Sequence, residues 1–345
     1  MPFSYRVSIK DIAKAAGVSY STVSRALHDS TLISEEVRLQ IQKIAGSMGY
    51  TPNALAQSLQ SHQTNSVGLV ITTISDPFFA DVVHGVEEEA KKAGISVFLA
   101  TTNNDPEEEI SIIETFSRRR VDGVIVASSR IGAGYANRLE QIRIPVIMVN
   151  TEAEEEGKFI FSASVDDQAG ASLAVSHLID LGHRRIGYLG VSNRLVSNKH
   201  RLEGYLNTLK KNSIEVKSDW VIINNDNAPG DLSLDFKIGQ QLGKEILKTD
   251  VTAVFCYCDT IAAGVMDTCR KAFKSIPEQL SIVGFDDNII SEILYPPLTT
   301  IHQPEKEIGH KAMQMIISSL AGEDVEDIIL DPSLVIREST APPPQ

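Results

Sequence analysis

The 345-residue chain carries 32 Lys and Arg against 45 Asp and Glu, a formal net charge of −13, and is 42% hydrophobic with 22 Gly, 14 Pro and 3 Cys. That apolar fraction excludes a disordered or collagen-like chain, and so few cysteines exclude a disulfide scaffold. No run of roughly 18 apolar residues spans a membrane, residues 1–11 lack the apolar core of a secretory signal, and so acidic a charge, taken whole, argues against a nucleic-acid partner.

The charge is unevenly spread. Residues 1–62 hold six basic side chains (Arg6, Lys10, Lys14, Arg25, Arg38, Lys43) against four acids (Asp11, Asp29, Glu35, Glu36), a balance of +2, which leaves −15 for the rest. Such asymmetry points to a separate module that faces a polyanion. Within it, Ser8 and Asp11 have capping-box spacing, and Ile9, Ile12, Ala13 and Ala16 recur at helical intervals up to Gly17. Ser19 starts a second helix over 20–27, with Val23, Ala26 and Leu27 inward. A third starts at Ser34, carried by Val37, Ile41, Ile44 and Met48, and stops at Gly49. Two short helices joined by Gly17-Val18 make a helix-turn-helix. A recognition helix presents its N-terminal residues to base edges, and Tyr20 and Ser21 stand there. Arg25, one turn later, can fork to guanine N7 and O6, while Ser19, Thr22 and Ser24 suit phosphate oxygens.

The segment Tyr50-Thr51-Pro52-Asn53-Ala54-Leu55-Ala56-Gln57-Ser58-Leu59 follows. Pro52 fixes a helix start, and Leu55 and Leu59 share one face of a helix too short to stand alone. An exposed leucine there makes sense if two copies pair and drive it into a minor-groove base step. Residues 60–66 read as a linker.

The runs Ile9-Lys10-Asp11-Ile12-Ala13, Ala16-Gly17-Val18-Ser19, Thr22-Val23-Ser24-Arg25, Gly49-Tyr50 and Pro52-Asn53-Ala54 together resemble the lactose/galactose repressor (LacI/GalR) family, over nearly the whole chain. The resemblance implies a dimeric, effector-controlled transcription factor with Tyr20, Ser21 and Arg25 at base-reading positions. It places Asn53, Ala56 and Leu59 in the DNA-contacting hinge, with Leu59 as the wedge. Gln57 departs from the Arg that many members carry before Ser-Leu, which puts one cationic contact in doubt.

Beyond residue 66 strands and helices alternate. Strands are expected at 66–73, 95–101, 121–128 and 145–150, with helices at 78–93 and 106–119 and another before 145 between them. The pattern restarts after Val165 with helices 168–181, 200–211, 231–248 and 260–273 and strands 185–190, 220–224, 253–258 and 281–285. Runs such as Gly123-Val124-Ile125-Val126-Ala127 are apolar on both faces, as in a parallel sheet. The expected fold is α/β: a two-lobed, doubly wound parallel-sheet core of the periplasmic-binding-protein kind, behind a three-helix DNA-binding head. The domains are 1–50 for the head, 51–65 for the hinge and 66–340 for the core. Lobe one spans about 66–164 and 295–325, and lobe two about 165–290 and 326–340. No leucine heptad follows the core, so no tetramerising coiled coil is expected.

An enzyme is not supported. Gly132-Ala133-Gly134 lacks the third glycine of a dinucleotide fingerprint, because Asn137 stands there. Nucleophile-elbow, zincin and P-loop motifs are absent from the sequence. His183-Arg184-Arg185 reads as a helix-to-strand turn with solvated cations, and the acidic run 152–156 as a solvated loop. Cys256, Cys258 and Cys269 lack metal-site spacing and read as buried thiols in a reducing cytoplasm. No cofactor or metal is expected.

Polyhydroxylated ligands want Asp, Asn and Arg for paired hydrogen bonds and an aromatic face. At the carboxyl ends of strands stand Asp76, Phe78 and Phe79, then Ser197 and Arg201, Asp226, Asp259, Asp286 and Gln303. The resemblance places Phe78, Phe79, Ser197, Arg201, Asp226, Cys258, Asp286 and Gln303 on or beside effector contacts. Cys258 replaces the Asn that precedes Asp in many sugar-responsive members. Trp220 is either a stacking platform or a core residue opening a strand. The expected protein is a cytoplasmic, nucleoid-associated repressor, a homodimer on a palindromic operator, controlled by a sugar or sugar derivative, or else by a nucleoside or purine. A transporter-feeding solute-binding protein is the alternative, opposed by the head and the missing signal.

Overall fold

The computed structural model describes residues 7–51, 63–103, 105–127, 143–150, 160–192, 194–225 and 232–344. Contacts divide the chain into a head, Met1–Thr64, and a core, Asn65–Gln345.

The head is three helices: α1 (Ile9–Ala16), α2 (Tyr20–Leu27) and α3 (Glu35–Ser47). Ser8 and Asp11 form the capping box at α1, and Gly17 ends it at φ 66°, a left-handed turn open to glycine at little cost. Ser19 and Ser34 cap α2 and α3. Ile12, Val23, Ala26, Ile41 and Ala45 are the buried centre. Gln42 Nε2 donates to the Ala26 carbonyl at 3.1 Å and to Asp29 Oδ1 at 2.9 Å, tying α3 to the end of α2.

In the core, β1 (Ser66–Ile71), α4 (Pro77–Lys92), β2 (Ser96–Thr101), α5 (Pro106–Arg118), β3 (Gly123–Ala127), β4 (Val146–Val149) and β5 (Ile160–Val165) belong to lobe one. Lobe two takes α6 (Asp167–Asp180), β6 (Ile186–Val191), α7 (Leu195–Lys211), β7 (Val221–Asn224), α8 (Leu232–Ile246), β8 (Ala253–Cys256), α9 (Asp259–Lys271), β9 (Ser281–Val283), α10 (Ile289–Ile293) and β10 (Thr300–His302). The chain then returns to lobe one with α11 (Glu305–Ala321) and β11 (Ile328–Leu330), and ends in lobe two with β12 (Ser333–Val335). The first sheet runs β11-β5-β4-β3-β1-β2 and the second β7-β6-β8-β9, with every pair parallel. Apolar clusters cover both faces of each sheet, as the uninterrupted apolar strands require.

The lobe boundaries differ from expectation. Residues 299–302 continue the second sheet through bridges Val283–Thr299 and Asp286–His302, and β12 pairs antiparallel with β10. Meanwhile β11 pairs with β5 in the first sheet. The later crossovers therefore lie near 303–304 and 331–332, rather than near 295 and 326. Helix α7 begins five residues before the expected start. Asn198 Oδ1 accepts from Tyr188 Oη–H at 2.8 Å and from the Val191 amide at 3.2 Å, so contacts to β6 anchor the helix's first turn.

His183 is a second correction. Only 1% exposed, it donates from Nε2 to the Ala341 carbonyl at 2.8 Å and bonds Thr252 through Nδ1 at 2.8 Å. Burial lowers its pKa, so it is a neutral buried pin rather than a solvated cation. Trp220 is core, its Nε1–H donating to Asp250 at 2.8 Å. The three cysteines are free and buried, as expected.

Each lobe joins two helices through paired glycines. Gly85 of α4 and Gly309 of α11 face each other's backbones, Lys306 O and Val82 O. Gly239 of α8 and Gly264 of α9 do the same against Ile261 O and Phe236 O. No helix among the described residues is long and apolar enough to cross a membrane.

Candidate functional site

In the head, α2 turns Val23 and Ala26 inward, which leaves Tyr20, Ser21 and Arg25 on its exposed face. Thr22 and Ser24 are half-buried. Ser19 is committed at the cap, where its Oγ accepts from the Thr22 amide at 3.2 Å and lies 2.8 Å from the hydroxyls of Ser21 and Thr22. Asn53, Ala56 and Leu59, with Gln57, lie outside the described residues, as does Asp226 of the effector set and the acidic run 152–156.

In the core, the parallel strand orders reverse between β1 and β3 and between β6 and β8. Clefts form outside the carboxyl ends of strands at such switch points. A cleft lies there between the lobes, partly open to solvent. Phe78, Phe79, Ser197, Arg201, Cys258, Asp286 and Gln303 line it together. Asp259 does not. It is fully buried, with Oδ1 accepting from Thr300 Oγ1 and Oδ2 from the Asn288 amide at 3.1 Å, so it ties the second sheet together.

Arg201 organises the floor. Its Nε donates to Asp167 at 2.7 Å, its Nη1 donates to the Tyr257 carbonyl at 2.6 Å, and Asp286 lies 3.7 Å away. The guanidinium is 3.6 Å from the Phe285 ring centre and 4.5 Å from that of Tyr257, a cation–π arrangement that sequence spacing does not reveal. Gln303 Nε2 donates to Asp286 at 2.7 Å and its Oε1 accepts from Asn150 at 3.4 Å, which connects the lobes. Asp286 has φ 117° and Asp287 φ 63°, backbone strain of the kind that collects at functional sites. Burial pushes the Asp286 carboxyl up, and Arg201 opposes it. Burial also pushes the Cys258 thiol well up, so it stays protonated and is no nucleophile.

The sequence reading missed Asn150, Arg194, Asp235 and Tyr257, all on the cleft wall. Asn150 and Arg194 follow β4 and β6 closely, so the strand-end rule could have found them. Tyr257 reads as strand interior, yet it points its hydroxyl to within 2.7 Å of Ser197 Oγ. Asp235 is one helical acid among many and carries no local signal.

Beside the cleft, Glu305 opens α11, and burial, with Asp286, Asp81 and Asp259 nearby, raises it to about 9. The folded state then holds a proton that the unfolded chain releases above about 4.5, so this group's contribution to stability falls as pH rises from about 4.5 to about 9. Glu305→Gln is expected to gain stability over the native chain progressively across that window in denaturant titrations. A constant difference would show that Glu305 is ionised when folded.

Residues 8–53 match the model of bacterial regulatory proteins, lacI family, and residues 175–340 match the periplasmic binding protein-like domain. The HTH-type transcriptional repressor PurR of Mannheimia succiniciproducens is 32% identical over 338 residues, 96% of this chain and 98% of its own. A ribose operon repressor of Haemophilus influenzae is 33% identical over 342 residues, with 96% and 98% covered. The solved lac repressor dimer, bound to operator and an anti-inducer, superposes with a TM-score of 0.86 at 25% identity, covering 98% of this chain and 100% of that one. Full-length similarity of this kind, with the head and the cleft both present, makes the chain a member of the LacI family of bacterial transcriptional regulators, which are not enzymes.

Proposed function

We propose that the chain is a transcriptional repressor that binds a palindromic operator as a homodimer, with its affinity set by a sugar or sugar derivative in the cleft. The observation that carries this is the cleft's donor–acceptor array, Asn150–Gln303–Asp286–Arg201, beside the aromatic rings of Phe78 and Tyr257, in a chain with a helix-turn-helix head. Paired polar groups flanked by a ring suit vicinal hydroxyls. The ribose operon repressor and the operator-bound lac repressor dimer support this reading by similarity. A ligand acts by preferring one arrangement of the lobes, so its differential affinity is the switching energy. Operator binding would hold the protein at the nucleoid. Tyr20, Ser21 and Arg25 read bases, and Ser19, Thr22 and Ser24 stand toward phosphates.

A thermal-shift screen of the full chain against pentoses, hexoses, nucleosides and purines tests the ligand class, since a ligand that binds only the folded state raises the transition. A sugar that shifts the transition and changes operator affinity supports the reading. A purine alone doing so replaces the sugar, and operator binding insensitive to every hit removes effector control. Arg25→Ala is expected to cost about 1–3 kcal/mol on the selected operator and much less on random DNA. Equal losses on both in gel-shift titrations would make Arg25 a phosphate contact.

A further inference from the structure

Asp76 and Arg194 meet across the cleft from different lobes. The two oxygens of Asp76 have separate duties. Oδ1 caps α4 by accepting from the Phe78 amide at 3.2 Å, and Oδ2 accepts from Arg194 Nη2 at 3.0 Å. Arg194, just before α7, is also gripped by Asp235 of α8, with Nη1 to Oδ1 at 3.3 Å and Nη2 to Oδ2 at 3.1 Å. None of the three side chains is more than 17% exposed. One guanidinium therefore answers two carboxylates, one from each side of the cleft.

The other cation on the described wall, Arg201, is answered in the same way by Asp167 and Asp286. Among the described residues, every cation facing the cleft is thus matched before a ligand arrives. A phosphate or carboxylate would be stripped of water opposite Asp76, Asp235 and Asp286 with no uncommitted cation among the described residues to receive it, which is strongly unfavourable. Hydroxyls, by contrast, can bond the outer lone pairs of these carboxylates without disturbing the ion pairs. Rejection of a charged analogue by occupied counter-charges is a recognised route to specificity.

We infer that the Asp76–Arg194–Asp235 clasp is a specificity-determining element, which selects an uncharged hydroxylated ligand and turns away its phosphorylated forms. This rests on the reading of the cleft as the effector site. It adds that Arg194 is a latent anion receptor that its two carboxylates keep filled.

Inorganic phosphate is the probe, titrated calorimetrically into the full chain at fixed ionic strength. The native chain is expected to show no saturable uptake. Asp76→Asn keeps the helix-capping oxygen and removes one charge, and adding Asp235→Asn releases the guanidinium. The double variant is expected to bind phosphate at least roughly tenfold more tightly than any binding seen in the native chain, or about 1.4 kcal/mol. Arg194→Met on that background is expected to abolish the gain. Phosphate bound as tightly by the native chain, a gain that survives Arg194→Met, or a double variant folded by circular dichroism without a gain would each overturn the clasp. If the double variant does not fold, Asp76→Asn alone decides, with a smaller gain in the same direction. Failure of effector-controlled operator binding would remove the regulator reading and leave this titration unmoved, so the two failures are separable.

Discussion

Arg201→Met is expected to destabilise the core by about 3–5 kcal/mol and to abolish any ligand response, although methionine preserves much of the side-chain bulk. Arg201 is 3% exposed and holds Asp167 at 2.7 Å and Asp286 at 3.7 Å. Burial pushes the Asp167 carboxyl up, and the guanidinium is what opposes it. Without that cation, two carboxylates in a closed interior must either stay charged at great cost or take up protons. The loss should therefore be larger at neutral pH and shrink as pH falls and Asp167 is neutralised. Arg201→Lys restores a charge but not the planar group that lies 3.6 Å from the Phe285 ring centre, so partial recovery is expected. Urea titrations of both variants measure this. A loss below about 1 kcal/mol would place the ion pair in solvent-like surroundings.

Gly309→Val is expected to be as damaging by a different route, costing about 3 kcal/mol or more. A Cβ at Gly309 would fall on the Val82 carbonyl of α4, and one at Gly85 on the Lys306 carbonyl of α11. Those obstacles are backbone atoms, so no rotamer change relieves the overlap. The helices must separate, and Val82, Val86, Ile308 and Ala312, all buried at this seam, lose packing partners. Lobe one should melt at a lower temperature. An unchanged calorimetric transition would mean that the crossing is looser than these contacts describe.

The parts of the fold that sequence makes legible are those with a local cause. Serines 8, 19 and 34 announce three helix starts because their side chains bond amides within three residues. The double-sided apolar strands announce parallel sheets. Legibility fails where a residue's partner is distant in the chain. Asp259 looks like a strand-end ligand, but its oxygens are taken by Thr300 and Asn288. Arg194 lies three residues past β6, yet its place on the cleft wall is secured by Asp76, 118 positions away. The early start of α7 depends on Tyr188, to which Asn198 looks locally unrelated. Strand-end position narrows the candidates; which of them face the cleft is decided by pairing between segments.

The third passage between the lobes bears on how the molecule is made. Lobe two opens at α6, yet His183 beside that helix waits for Ala341, 158 residues later, and Ile282 in β9 donates to Ser339 at 2.9 Å. Both contacts are absent from a nascent chain until residues 339–341 leave the ribosome. Lobe one needs α11 and β11 before its own sheet is complete. Lobe one cannot close until nearly all of lobe two has been made, and lobe two cannot close until after lobe one, so synthesis must hold two incomplete lobes at once up to about residue 330. Such long-range closure slows folding and lengthens exposure of apolar strands. A stall or cleavage before residue 341 should send the chain to quality control rather than yield a working fragment.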